Sequence, residues 1–91
     1  MFRVIAYDIE DDRTRARLAK TLEGFGQRVQ KSVFEAILTP SEYQQMKEAV
    51  LKVIDPTEDA VRYYTLCNVC RHQIEVTQNS QVTSKPQTVI V

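Results

Sequence analysis

At 91 residues, 43% hydrophobic, 26% charged and formally neutral, the chain has the makeup of one small globular domain. It has no apolar run near ~18 residues, and MFRVIAYDIE passes from apolar residues straight into acids, so a membrane span and a secretory leader are not expected; a cytoplasmic chain with no membrane partner is. Zero net charge removes the global basic signature of a nucleic-acid binder, yet seven of the twelve basic residues (Arg3, Arg13, Arg15, Arg17, Lys20, Arg28 and Lys31) fall within residues 1–31, which leaves room for one basic face.

Residues 2–9 read as the first strand, rich in Val, Ile and Tyr. Its alternation puts Phe2, Val4, Ala6 and Asp8 on one face and Arg3, Ile5, Tyr7 and Ile9 on the other. Asp11 or Asp12 should cap the first helix, whose apolar stripe is Leu18, Ala19, Leu22 and Phe25. Gly24 and Gly26, the only glycines, mark its stop. Residues 27–38 are β-like but change parity near Ser32, so a tight turn at Lys31-Ser32 should split them into two strands. Thr39-Pro40-Ser41-Glu42 spells a capping box with proline at the first helical position. Tyr43, Met46, Val50 and Val53 or Ile54 form that helix's buried stripe, and Asp55-Pro56 is expected to end it. AVRYYTL, residues 60–66, is the next strand; a CNVC turn and a short strand at 74–76 follow.

The order β-α-β-β-α-β implies an α+β, ferredoxin-like sandwich over residues 1–76, with an antiparallel sheet, both helices on one face and a short extra C-terminal strand. The bare sheet face would be covered by a homodimer packed sheet to sheet. Residues 77–91 are a polar tail ending in TVIV, which either frays or adds to a sheet edge in this chain or a partner.

Asp8 is the unusual residue, a carboxylate at the end of an otherwise apolar strand. It bonds backbone amides of the next turn, pairs with an arginine, or holds a metal. Arg15 lies on the apolar stripe and could approach the strand's end; Arg13, Arg17 and Lys20 lie on the outer face, solvated or in contact with phosphate. One aspartate per chain binds Mg²⁺ poorly, but a two-fold dimer could share one ion between two Asp8 carboxylates and several waters. Water so bound can attack a phosphodiester while arginines neutralise the phosphate. No Ser-His or HExxH arrangement is present. Cys67 and Cys70 form one CxxC, open to three readings: zinc shared across a dimer, a redox pair, or a loop with two half-buried thiols.

Tyr7-Asp8-Ile9-Glu10-Asp11-Asp12, Arg15-Ala16-Arg17, Gly26, the run RVQKSVFE from Arg28 to Glu35, and DxxxDxVRxYxLC over residues 55–67 together resemble the small CRISPR-associated proteins of the Cas-two family. The resemblance spans residues 2 to about 76. It implies a ferredoxin-like homodimer of a prokaryotic adaptive immune system. It also implies a metal-dependent endonuclease acting on RNA or double-stranded DNA, and the adaptor of a spacer-integration complex that bridges an integrase partner. By the same resemblance the metal aspartate is Asp8 and its neighbouring tyrosine Tyr7. The helix arginines are Arg15 and Arg17, the strand arginine Arg28 and the aromatic Phe34. Arg13, Arg17, Lys20, Arg28 and Lys31 are the expected nucleic-acid contacts, with Lys31 standing where the family often has an aromatic residue.

Overall fold

A computed structural model describes residues 1–67, 70 and 72–75. In chain order the elements are β1 (Phe2–Asp8), α1 (Asp12–Glu23), β2 (Gln27–Gln30), β3 (Val33–Ile37), α2 (Pro40–Leu51) and β4 (Ala60–Leu66). The strands form one antiparallel sheet in the order β2-β3-β1-β4. Each helix therefore connects strands that skip over a neighbour, which makes the sandwich ferredoxin-like and puts β1 and β3 in its centre. Among the described residues no helix is long and apolar enough to cross a membrane.

The local signals in the sequence set the starts of both helices. Asp11 caps α1, accepting from the Thr14 amide and hydroxyl at 2.8 Å each. Thr39 and Glu42 form the reciprocal capping box of α2, with Pro40 at its first turn. Each cap satisfies amides that the helix leaves without partners.

Both helices lie on the face of the sheet that carries Ile5, Tyr7, Phe34 and Ala36. Leu18, Ala19 and Leu22 from α1 and Met46 and Val50 from α2 close that core, and Ile5, Leu18, Phe34, Met46 and Val50 are fully buried. Such side chains contribute roughly 1.5–3 kcal/mol each, so this single layer carries most of the apolar stabilisation. The opposite face holds Val4, Ala6, Val33 and Ile37, all half-buried, with Tyr64 exposed beside Val4.

Gly26 is required by a close approach. A Cβ there would stand 2.4 Å from the Glu35 carbonyl oxygen and 2.7 Å from the Ala36 Cβ. Gly26→Ala is expected to cost about 1–3 kcal/mol through overpacking. At ~4–8 °C per kcal/mol, thermal denaturation would show a midpoint lowered by about 5–20 °C. Gly24→Ala, whose Cβ would meet only the Thr21 carbonyl at 3.4 Å, should leave the midpoint nearly unchanged.

Three boundaries differ from the sequence reading. β1 stops at Asp8, and Ile9 leaves the sheet to bury itself in the core. α2 stops at Leu51, before Asp55-Pro56, because the next turn folds Val53 and Ile54 back onto the core. Asp55 instead starts a turn, its Oδ1 accepting from the Thr57 amide at 3.0 Å and hydroxyl at 2.7 Å. Ile74 and Glu75 are not in a strand, despite the β-branched Ile74: no described strand pairs with them. Val76 and the tail with its TVIV segment lie outside the described residues.

Candidate functional site

Asp8 ends the central strand two positions beyond the last pair with β3. The β1–β3 register closes at Ala6 opposite Val33, while Asp8 still faces Ala60 of β4. Asp8 is exposed on the open face, with Val4 and Ala6, away from both helices. Among the described residues its carboxylate makes no hydrogen bond and no ion pair.

The groups that could have engaged it are committed elsewhere. Asp11 caps the turn, and the Thr14 amide and hydroxyl hold its carboxyl below its ordinary pKa. Arg15 does reach the end of the strand, as its helical position required. Its Nη1 donates to the carbonyls of Ile9 at 3.0 Å and Glu10 at 3.4 Å, and its Nη2 pairs with Asp12. Arg15 thus ties the β1–α1 loop to the helix, with few donors left for a phosphate. Neither the turn-binding nor the arginine-paired reading of Asp8 describes this geometry; an unengaged carboxylate remains. Such a group is a hard oxygen donor of the kind Mg²⁺ takes. No three His, Cys, Asp or Glu side chains converge among the described residues, so one chain offers this ion a single ligand.

Arg62 was missed from the sequence. It lies on the open face opposite Ala6, one diagonal step from Asp8 across the β1–β4 pair. Diagonal neighbours on a sheet are roughly 7–8 Å apart, within reach of a guanidinium. The Tyr64 phenol beside it pushes its pKa further up, so the group is always charged. Only the strand register puts Arg62 near Asp8, and spacing along the chain carries no trace of it.

Arg13, Arg17 and Lys20 are exposed on α1, where spacings of four and three residues gather them on one side. Arg28 is exposed on β2 and donates through Nη2 to the Lys31 carbonyl across the hairpin. The side chains of Arg17, Lys20 and Lys31 hold no hydrogen bond or ion pair among the described residues. This basic surface is separate from the open face that carries Asp8.

Tyr7 and Phe34 require a correction to any role at a reacting centre. Tyr7 is buried on the helix-covered face, opposite Asp8, and its hydroxyl donates to the Lys31 carbonyl at 3.5 Å. Phe34 is fully buried, its ring 6.3 Å from that of Tyr7. Both rings fill the core. Cys67 and Cys70 are exposed rather than half-buried, and the Cys70 amide donates to the Cys67 sulfur at 3.4 Å. The Cys67 thiol beside it pushes the Cys70 thiol up.

The family model described as CRISPR associated protein Cas2 matches residues 1–74. A curated relative from Synechocystis sp., the CRISPR-associated endoribonuclease Cas2 3, is 42% identical over 88 residues, which is 97% of this chain and 96% of the relative. The crystal structure of Streptococcus pyogenes Cas2 at pH 6.5 superposes with a TM-score of 0.76 at 30% identity, covering 86% of this chain and all of that one. A chain of a partial Cas6-RT-Cas1–Cas2 complex gives a TM-score of 0.72 at 31% identity, covering 84% of this chain and 89% of that chain.

Proposed function

The chain belongs to the CRISPR-associated Cas2 family, and from that premise we propose that it acts in spacer acquisition as the homodimeric adaptor of an integrase complex, with Mg²⁺-dependent endonuclease activity on RNA or double-stranded DNA. The observation that carries the catalytic part is the exposed, unengaged carboxylate of Asp8 beside a half-buried apolar strip. Covering that strip with a second copy of the chain would bury its apolar surface and bring the acids of two chains toward one interface. Relatives named endoribonuclease support hydrolysis of RNA, and the similarity to a chain from an assembly containing Cas1 supports an integrase partner.

Asp8 from each of two chains would hold the Mg²⁺, which supplies a more acidic water and offsets charge on a phosphodiester. The chain's own groups do the rest. Arg62 lies on the open face one diagonal step from Asp8 in the β1–β4 register and would neutralise a phosphate held there. Arg13, Arg17, Lys20, Arg28 and Lys31 hold the nucleic-acid backbone and fix its path without reading sequence. A scaffold without catalysis is the alternative, favoured by how few groups surround Asp8 and how many positive charges lie away from it.

Sedimentation of the full chain is expected to give a two-chain species at micromolar concentration. Incubation with RNA and with duplex DNA should give cleavage in Mg²⁺ and none in EDTA. A dimer that binds nucleic acid but never cleaves it leaves the scaffold; a monomer that cleaves neither substrate overturns the catalytic reading. Deleting residues 77–91 should weaken a pull-down of the integrase partner if the tail adds to its sheet edge.

A further inference from the structure

The N-terminal end of β1 carries a second concentration of positive charge, on the opposite face from Asp8. Arg3 points to the helix side, and its guanidinium lies over the Tyr43 ring at 3.7 Å from the centroid. The Lys47 ammonium lies 4.5 Å from the same centroid, one helical turn after Tyr43 on α2. Tyr63 of β4 meets Tyr43 edge-on at 5.9 Å, and the Arg3 Nη1 donates to the Thr65 hydroxyl at a solvent-facing position.

Three features of this cluster are unbalanced. Both cations lean on one ring, whose quadrupole attracts each of them but does not cancel their mutual repulsion. Neither has an ion pair among the described residues, and those residues include all twelve Asp and Glu side chains of the protein. The Arg3 Nε–H is buried and has no acceptor among the described residues, a rare state for a buried donor. Two cations gathered on one ring, with no ion pair among the described residues, are what an incoming anion would balance, and the outer guanidinium nitrogens suit phosphate oxygens.

We propose that Arg3 and Lys47, held by Tyr43, form a second phosphate-binding site for the backbone of nucleic acid, distinct from the α1 surface and from Asp8. The identification of the anion as a nucleic-acid phosphate rests on the function proposed above. Arg3 and Asp8 are five residues apart on one extended strand, so the two sites are separated by about 17 Å along it. Because the two sites also lie on opposite faces of the sheet, this one would hold nucleic acid independently of the acid.

The test measures binding of a 30-base-pair duplex and of a single-stranded RNA to the full chain by fluorescence anisotropy, from 50 to 300 mM salt. Each B-DNA phosphate that goes unneutralised lowers the salt slope by about 0.9, so Arg3→Gln/Lys47→Gln should lower it by about 1–2 and weaken binding about tenfold or more at 150 mM. Lys47→Gln alone, a change on the helix surface that spares the Arg3 stack, should lower the slope by about 1, so a misfolded double variant does not decide the question. In nitrogen-15 spectra the Arg3 Nε–H resonance should move as duplex is added, which a stack serving only to pack α2 would not do. Wild-type binding with an unchanged slope in Lys47→Gln and a stationary Arg3 resonance overturns this site and leaves the proposed function standing. If the same variant instead releases only the integrase partner, the anion is a carboxylate of that protein and the phosphate assignment falls. Wild-type chain that binds neither nucleic acid at 50 mM salt overturns the nucleic-acid function itself, and this site with it.

Discussion

Asp8→Asn should lower Mg²⁺-dependent cleavage by about 10²–10³-fold, the rate equivalent of losing roughly 3–4 kcal/mol of charge stabilisation in the transition state. The substitution keeps the shape of the side chain and removes its charge, and in the proposed dimer it would remove two charges from a shared ion. Because the carboxylate is exposed and bonds nothing among the described residues, stability should stay within about 0.5 kcal/mol of the parent. Nucleic-acid affinity should be unchanged or tighter, since a negative charge has been taken away from a phosphate ligand. Single-turnover cleavage, denaturant melts and binding on the same preparations separate these effects. Equal cleavage by parent and variant would assign the activity to a contaminating nuclease. Spacer acquisition that survives Asp8→Asn while cleavage is lost would place the biological role in the scaffold.

Phe34→Ala is expected to cost about 3–5 kcal/mol, the range for emptying a buried aromatic site. That is a large share of the ~5–15 kcal/mol that holds a domain of this kind together. The thermal midpoint should fall by about 15–30 °C, a loss that can leave too little folded chain to assay; Phe34→Leu resolves this by keeping much of the volume at a cost under about 1.5 kcal/mol. Phe34→Leu should cleave and bind as the parent does. Were the ring instead a stacking platform for a base, Phe34→Leu would fold and lose binding, which anisotropy would detect.

The elements whose ends are written in capping chemistry were legible from the sequence. Thr39 to Glu42 and Asp11 act locally, so their helices begin where those residues say. The change of parity at Ser32 likewise exposed the hairpin between β2 and β3. The end of α2 was less legible because Pro56 sets only a limit, and the chain turned earlier to bury Val53 and Ile54. Within the site, alternation already contained the fate of Tyr7: if Asp8 faces out at the end of β1, its neighbour faces the core. A motif quoted as consecutive letters conceals this division. Arg62 and the Arg3–Tyr43–Lys47 cluster depend on which strands are neighbours, and only the folded sheet supplies that information.

The central position of β1 also bears on how the chain is made. This strand leaves the ribosome well before its partners: β3 begins at Val33, and the β4 pair of Phe2 is Leu66. At ~5–20 residues per second, an apolar strand with two open edges waits about 3–12 s for its last neighbour. Exposed strands of this composition invite pairing with other nascent copies, and flanking charge is the usual protection. Asp8, Glu10, Asp11 and Asp12 stand immediately after the apolar run and repel a second copy laid in register alongside it. The same acids that end the strand would thus guard it during synthesis.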